Sequence, residues 1–364
     1  MHPTNNKLVT IPEASSYYTR KVVNEVLKEF PTLKHIILYG SYGRHEGAWI
    51  KVNNEFRPYN DFDIVLVFNS KSDIPTKPKL SSIRKKLAKN LDVKWVDISL
   101  KSKSSLKNVR NSIYGSDLKN GSTVIYGDPA ILNLIPYKST ESIKLQEGEV
   151  LFFTRLWTFC GSVKKLSNLK EDEARFFRNQ MAKAVLAAVD TILLMQKGYH
   201  HSYKERERRV LLLPPTQLST KERELIKWAF QQKKSPQNEA LAQDQIEDIY
   251  KEVAIFYRKF MLIALSSLHR KDFKTIIDFK RFYKTNLKVN LKRLLYIGLK
   301  RSFLYEKIYW SNIIQMNVLA IICSEKGSLS LIQECMKSLK KIGCEAQHSI
   351  ESIRSSVAKV RESI

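Results

Sequence analysis

Cysteine is scarce in this chain, which has four among its 364 residues. No two of them form a C-x-x-C pair, and the seven histidines add no regularly spaced ligand set. The pattern therefore indicates neither a zinc site nor a disulfide framework. We expect Cys160, Cys323, Cys335 and Cys344 to be reduced, buried small hydrophobic residues, which is typical of a cytoplasmic protein.

Long apolar runs are also absent. A helix needs about 18 to 20 apolar residues to cross a bilayer, and the longest candidates are residues 184–195 and 313–323. Asp190 interrupts the first, and Gln315 and Asn317 interrupt the second. The first residues also lack the apolar segment of a secretory signal. We therefore expect a cytoplasmic protein with no membrane partner.

Acidic residues are in the minority, with 36 Asp and Glu against 62 Lys and Arg, a net charge of +26. Such an excess attracts nucleic acid, nucleotides and other polyanions and speeds their encounter with the protein. Lysine-rich composition can also follow from an A/T-rich genome, so the net charge alone does not identify RNA as the partner.

One basic segment near residue 284 has its lysines spaced for a single helical face. Lys284, Lys288 and Lys292 fall four residues apart, and aromatic residues are interleaved just before them, at positions 279, 282 and 283. Mixed basic and aromatic residues can follow a phosphate backbone and stack on bases. The alternative is an ordinary solvated face, with the aromatic rings packed inward.

Two aspartates alternate at the start of the apolar segment DFDIVLV. On a strand, Asp61 and Asp63 share one face while Phe62 points into the core. Asp97 lies near the middle of a second strand-like segment, residues 93–100. Each acid alone could be a solvated surface residue. Together, three carboxylates can hold hard cations such as Mg²⁺, and two ions can stabilise the attacking and leaving oxygens of a phosphoryl transfer.

An apolar run that ends at Tyr39 is followed by Gly40 and Ser41. Glycine permits an unusual backbone turn after a strand, and we expect a helix to begin near Tyr42. Backbone N–H groups at such a turn, and the N-terminus of the following helix, favour bound phosphate. The sequence thus predicts a phosphate-binding turn facing a metal site.

The turn and the three aspartates, in this order, resemble the signature of the nucleotidyltransferase superfamily that includes DNA polymerase beta. The resemblance implies that Gly40 and Ser41 bind the nucleotide. It also implies that Asp61, Asp63 and Asp97 hold two Mg²⁺ ions and carry catalysis.

A longer motif, GSYGRHEG at residues 40–47, is similar to a bacterial and archaeal branch of stand-alone nucleotidyltransferase-domain proteins with helical C-terminal domains. In that branch Arg44 and Glu46 belong to the motif. This implies that Arg44 neutralises phosphate charge and makes Glu46 a candidate substrate contact. The spacing from the turn to the aspartates is slightly longer than usual, so we interpret residues 48–58 as a small hairpin insertion.

A weaker resemblance lies downstream. Residues 183–208 are similar to the helix, Gly-Tyr turn and Ser-Tyr-x-x-Arg segment of helical domains that accompany this catalytic module. It makes Lys183 a candidate nucleotide ligand, and Tyr203 and Arg206 candidate substrate contacts. Alternatively, the charged residues after Tyr203 are the polar start of a helix and pair locally.

The expected fold is an α+β nucleotidyltransferase domain, a small mixed sheet flanked by helices, followed by an all-α C-terminal region. A hydrophobic content of 43% is enough for more than one core. We place the catalytic domain at residues 1–136 and the helical domain at 137–364, with a second division expected near 214–236.

The expected function is Mg²⁺-dependent transfer of a nucleoside monophosphate from an NTP, ATP or CTP above all, to an acceptor hydroxyl. The positive charge favours a polyanionic acceptor such as tRNA or another RNA. A small molecule of the antibiotic type, or a protein, remains an alternative acceptor. A catalytically inactive nucleic-acid-binding protein with this fold is the alternative outside enzymes. The sequence leaves the base, the acceptor and the oligomeric state open.

Overall fold

A computed structural model of the protein describes residues 10–59, 61–93, 95–160, 167–286, 302–325 and 328–362. Its contacts divide the chain into two compact units. The first comprises Met1–Lys144, Lys197–Arg208 and Lys233–Pro236, and the second comprises Leu145–Gln196, Arg209–Gln232 and Gln237–Ile364. The sequence-based prediction placed a boundary at residue 136 and a second division near 214–236, whereas this division by contacts assigns two later segments to the first unit.

The first unit is built around a small mixed sheet, as predicted. The strands of the unit are β1 His35–Tyr39, β2 Trp49–Val52, β3 Glu55–Pro58, β4 Phe62–Phe68, β5 Val96–Ser102 and β6 Thr123–Tyr126. Four of them form the sheet in the order β5-β4-β1-β6. β1 pairs antiparallel with both β4 and β6, whereas β4 and β5 are parallel. In this register, Tyr39 faces Asp63, and Asp63 faces Asp97.

The helices of the first unit pack on both faces of this sheet. They are α1 Ile11–Glu29, α2 Gly40–Gly43, α3 Lys77–Leu91, α4 Lys103–Leu106 and α5 Ile113–Asn120. On one face, Phe62 and Ile64 of β4 pack with Val22 of α1. On the other face, Val65 packs with Leu118 of α5. Because strand residues alternate, the Asp61 and Asp63 side chains belong to the α5 face, opposite α1 and α3.

β2 and β3 form a separate two-stranded antiparallel hairpin, which confirms that residues 48–58 contain a hairpin. The strands are joined by Asn53 and Asn54, which have φ values of 49° and 64°. Two consecutive left-handed residues form the tight turn that matches the natural twist of paired strands, and asparagine tolerates that conformation better than most residues.

The second unit is helical throughout its described residues. Its helices are α6 Gln146–Cys160, α7 Glu171–Met195, α9 Thr220–Lys234, α10 Gln243–His269, α11 Ile276–Thr285, α12 Ser302–Ile322, α13 Ser328–Lys341 and α14 Ile350–Glu362. The last two residues of α9 are assigned to the first unit. α8, Tyr203–Leu211, begins in the first unit and ends in the second.

Aromatic side chains fill the core of the second unit. Phe152 of α6 stacks on Tyr257 of α10, with ring centroids 5.9 Å apart, and meets Phe279 of α11 edge-on. The buried Tyr257 hydroxyl donates to the carbonyl of Phe152 at 2.5 Å. Fully buried tyrosines are stable in such a core only when the hydroxyl has a partner. None of the helices in the described ranges is long and apolar enough to span a bilayer.

Candidate functional site

Three carboxylates meet at one end of the sheet. Each of Asp61, Asp63 and Asp97 offers one oxygen that lies within 4.8 Å of the other two, and all three residues are half-buried. Asp63 and Asp97 are register partners on parallel strands, so their side chains lie side by side on one face. The alternation in the sequence and the parallel pairing of β4 with β5 thus bring together all three predicted metal ligands. Carboxylate oxygens at this spacing suit Mg²⁺.

The predicted phosphate turn lies directly against this cluster. Gly40 has a φ of +66°, and a Cβ at this residue would lie 2.0 Å from Oδ2 of Asp63. A Cβ on Gly43 would lie 2.3 Å from the carbonyl oxygen of Leu38. Only glycine fits at these two positions, because any other residue would displace a metal-ligand candidate or the end of β1. Ser41, between them, is buried.

The helix expected to begin near Tyr42 is different in the structure. α2 starts at Gly40 and ends after a single turn at Gly43. Arg44 follows with a φ of −88° and a ψ of 0°, and His45 is left-handed at φ 59°. The favourable effect of a helix N-terminus on an anion comes from the N–H groups of its first turn, so phosphate binding at this turn stays a prediction.

Two tyrosines lie beside the carboxylates, and no motif in the sequence indicated a role for them. Burial, with the neighbouring Asp63 carboxylate second, raises the pKa of Tyr39 well above its usual range. Burial and the same carboxylate also raise the pKa of Tyr114. Their rings meet edge-on with centroids 5.7 Å apart. Both phenols are therefore neutral at physiological pH and form a half-buried wall beside Asp63.

Arg44 makes contacts other than those predicted. Its side chain is 5% exposed, with Nε 3.1 Å from Oε2 of Glu46 and Nη1 3.2 Å from Oδ2 of Asp117. Its guanidinium also lies 4.6 Å from the ring centroid of Tyr203. Two carboxylates already neutralise this charge, and the side chain is enclosed. These contacts hold Arg44 within the protein, and its predicted contact with phosphate stays a prediction.

Glu46 caps the N-terminus of α8. Its carboxylate accepts hydrogen bonds from the Ser202 hydroxyl at 2.7 Å, from the Tyr203 N–H at 3.0 Å and from the Lys204 N–H at 3.3 Å. Burial alone would raise the pKa of Glu46, but these donors and Arg44 outweigh it and lower the pKa below the usual value. These donors belong to the protein itself, and the predicted substrate contact of Glu46 stays a prediction.

Asp117 organises the other half of the same cluster. Its Oδ2 also lies 3.4 Å from Nη2 of Arg206, and its Oδ1 accepts the Tyr199 hydroxyl at 2.8 Å. Arg206, a predicted substrate contact, is buried and also donates to the carbonyls of His200 and His201. Asp117 was missed in the sequence because it falls on a short helix with no recognisable motif. Tyr203 belongs to this cluster through its ring, whose centroid lies 4.6 Å from the Arg44 guanidinium and 4.9 Å from the Arg206 guanidinium.

The remaining candidates belong to the second unit. Lys183 is half-buried on α7, and its role as a nucleotide ligand stays a prediction. Lys284 pairs with Glu334 of α13, as does the buried Lys280, at 2.5 Å. The rings of Phe279 and Tyr283 are buried. For Lys284 these contacts favour the alternative of a face whose aromatics pack inward. Lys288 and Lys292 lie outside the described residues.

Comparison with known proteins assigns no family to the chain. No family model and no curated protein matches it. One solved structure that aligns with it is that of a tri-AMPylated Shewanella oneidensis HEPN toxin in complex with an MNT antitoxin. The aligned chain has 17% sequence identity, with 33% of this chain and 79% of that chain covered, and a TM-score of 0.23. A score that low carries no argument about fold or function.

Proposed function

We propose that the first unit is a Mg²⁺-dependent nucleotidyltransferase, which transfers a nucleoside monophosphate from an NTP to an acceptor hydroxyl and releases pyrophosphate. The observation that carries the proposal is the cluster of Asp61, Asp63 and Asp97 oxygens packed against the Gly40 turn. The motif order in the sequence supports the same interpretation independently.

The donor set is suited to Mg²⁺, because three half-buried carboxylates are hard oxygen ligands on a fixed sheet. When bound there, Mg²⁺ would neutralise phosphate charge and make the α-phosphorus more electrophilic. Asp61 and Asp63 would hold the metal, and the backbone around Gly40 and Ser41 would receive the β- and γ-phosphates.

Asp97 supplies the base in this scheme. Its carboxylate takes the proton of the acceptor hydroxyl, and the resulting oxygen forms a bond to the α-phosphorus. The bond from the α-phosphorus to the bridging oxygen breaks, and its electron pair leaves on pyrophosphate. Tyr39 and Tyr114 stay protonated and limit the entry of water next to Asp63. ATP and CTP are the first nucleotides to test, and the net charge of +26 favours RNA as acceptor.

The test incubates purified protein with Mg²⁺, each of four α-labelled NTPs and total cellular RNA. We expect label in RNA with the wild-type protein. Asp61→Asn and Asp63→Asn should each lower transfer by at least about 100-fold, because even the residues that merely support metal ligands contribute 10- to 100-fold. A matched control is Asp92→Asn, since Asp92 is exposed and left-handed, a conformation that asparagine accepts.

Binding of Mn²⁺ measured by calorimetry checks the metal assignment without turnover, and it should be lost in both variants and kept in Asp92→Asn. Label in protein would identify a protein as the acceptor. Pyrophosphate release only with small metabolites would identify a small molecule as the acceptor. RNA binding without any pyrophosphate release or metal binding would contradict the proposal in favour of an inactive nucleic-acid-binding protein.

A further inference from the structure

The sheet order gives the candidate site two distinct sides. The Gly40 turn follows β1, Asp63 is on β4 and Asp97 is on β5, and these strands are adjacent in the order β1, β4, β5. β5 is at the edge of the described sheet. If the triphosphate occupies the turn, the β5 side beyond Asp97 is where the second reactant approaches.

One aromatic residue lies on that side. Trp95 is 51% exposed, whereas the other four tryptophans, all within the described ranges, are half-buried. Its indole Nε1–H donates to Oδ1 of Asp97 at 2.8 Å. Residues two apart on an extended chain share a face, so the ring lies on the same face as the carboxylates.

An indole in this setting has the properties of a stacking platform. A single exposed aromatic ring is common on a protein surface, so the informative observation is the hydrogen bond that ties this ring to a candidate catalytic carboxylate. The hydrogen bond to Asp97 fixes the ring orientation before any ligand arrives. A fixed ring loses little conformational entropy when it binds.

We propose that Trp95 stacks on the terminal nucleobase of a single-stranded nucleic-acid acceptor, whose ribose hydroxyl then lies next to Asp97. The proposal rests on the proposed function and adds the residue that binds the acceptor and the single-stranded form in which the acceptor binds. Every nucleobase has a π-face, so the contact tolerates any terminal base. The positive charge of the chain attracts the phosphate backbone, and Trp95 distinguishes a strand with bases from other polyanions.

The binding test measures fluorescence anisotropy of a 5′-labelled single-stranded oligoadenylate RNA, with Mg²⁺ and without NTP. An abasic ribose-phosphate strand of equal length and charge is the second probe. We expect Trp95→Ala to weaken oligoadenylate binding by about 5- to 150-fold, the range for loss of a stacked base, and to leave the abasic probe unchanged. Trp95→Phe keeps a ring and should change the affinity only slightly.

A matched control is Tyr137→Ala, which removes the most exposed aromatic ring of the first unit, at 79% exposure, and should affect neither probe. Wild-type affinity in Trp95→Ala would overturn the proposal. Equal losses in Trp95→Ala and Trp95→Phe would also overturn it, because they would show that the indole only orients Asp97 through its N–H.

In transfer assays, Trp95→Ala should raise KM for the RNA acceptor by a similar factor and leave KM for the NTP unchanged. A raised KM for the NTP with an unchanged KM for RNA would contradict an acceptor-side role. If no protein transfers nucleotide, yet Trp95→Ala still loses base-dependent binding, the stacking site stands and the nucleotidyltransferase assignment fails. Transfer that depends on Asp61 but not on Trp95 would support the nucleotidyltransferase assignment and overturn the stacking site.

Discussion

Gly40 carries two constraints at a single Cα atom. Its backbone is left-handed, and the space where a side chain would begin is occupied by a carboxylate oxygen of Asp63. The first constraint is conformational and would be met at some cost by alanine or asparagine. The second is steric and chemical, because relieving it means moving a candidate metal ligand. The residue therefore links the geometry of the turn to that of the carboxylate cluster.

Gly40→Ala should consequently do more than strain the backbone. We expect it to lower the free energy of unfolding by more than the roughly 1 to 2 kcal/mol of a left-handed alanine and to weaken Mn²⁺ binding, measured by urea titration and calorimetry. Gly343→Ala is the matched control, since Gly343 has a φ of +74° with nothing within 4 Å of the added Cβ. It should show only the backbone cost. Equal costs in the two variants, with metal binding intact, would contradict the role of the Asp63 contact.

Single residues also show where sequence reasoning was informative. Asp61 and Asp63 could be predicted as neighbours because strand alternation is a local rule, and Asp97 was predicted from its strand-like segment and from the motif order of the resemblance. Arg44 and Glu46 were recognised as part of a motif, but their contacts within the protein were not. Their partners, Asp117 and Tyr203, are separated from them by 73 and 157 positions, and no periodicity connects such distant residues.

At the scale of elements, Glu46 stabilises the start of α8, because its carboxylate accepts hydrogen bonds from the first N–H groups of that helix. Helix N-termini leave several N–H donors without intrahelical partners. A carboxylate accepts hydrogen bonds from these donors, and its negative charge is stabilised by the positive potential at the N-terminus. The cap comes from another part of the chain, so it fixes α8 and the Gly40–Gly47 segment to each other. Ser202, just before the helix, donates to the same carboxylate.

Glu46→Gln should lower the free energy of unfolding by about 1 to 2 kcal/mol at pH 7, because charge-assisted hydrogen bonds become neutral ones. The pKa of Glu46 is lowered in the folded state. Its contribution is therefore present above the unfolded pKa, near 4.5, and is lost as the pH falls through the folded value.

Urea titrations from pH 7 down to pH 3 measure this pH dependence. The difference between wild type and Glu46→Gln should be constant at neutral pH and should shrink below about pH 4.5. Glu141→Gln, at an exposed position in the same unit, should stay within about 0.5 kcal/mol of wild type. A difference that persists at pH 3 would mean that the charge of Glu46 is not what stabilises α8.

The elements themselves were predicted with uneven success. β1, β4 and β5 follow apolar runs, and the β2–β3 hairpin was predicted from the spacing between the turn and the aspartates. No pattern in the sequence predicted α4 and α5. Both helices are short and begin at serine caps, Ser102 and Ser112, whose hydroxyls accept from backbone N–H groups. The serine caps give these short helices part of the stabilisation that longer helices obtain from a buried apolar face.

At the scale of the molecule, the first unit is discontinuous in sequence. Residues 197–208 belong to it although two long helices of the second unit, α6 and α7, precede them. The sequence-based division assigned that segment to the helical domain. Local composition can indicate that a segment is helical, but it does not indicate the unit in which the helix packs.

A fragment of residues 1–144 should therefore be less stable than the same unit in the full chain. It lacks the donors for Glu46 and the buried Arg206 that pairs with Asp117, and circular dichroism with urea titration measures the loss. The decisive control is the same Glu46→Gln substitution in the fragment, where it should cost almost nothing, because its partners are gone. An unchanged cost in the fragment would contradict the assignment of residues 197–208 to this unit.

The distant cap of α8 also has a consequence in time. Ribosomes add about 5 to 20 residues per second, and 157 positions separate Glu46 from Tyr203. About 8 to 30 s therefore pass between the synthesis of the Glu46 carboxylate and that of its backbone partners. During that interval the nascent first unit has the residues of its sheet and its carboxylates, but not the segment that donates hydrogen bonds to Glu46. Ligand binding by this unit during translation should begin only after residues 202–204, which donate to Glu46, have left the ribosome.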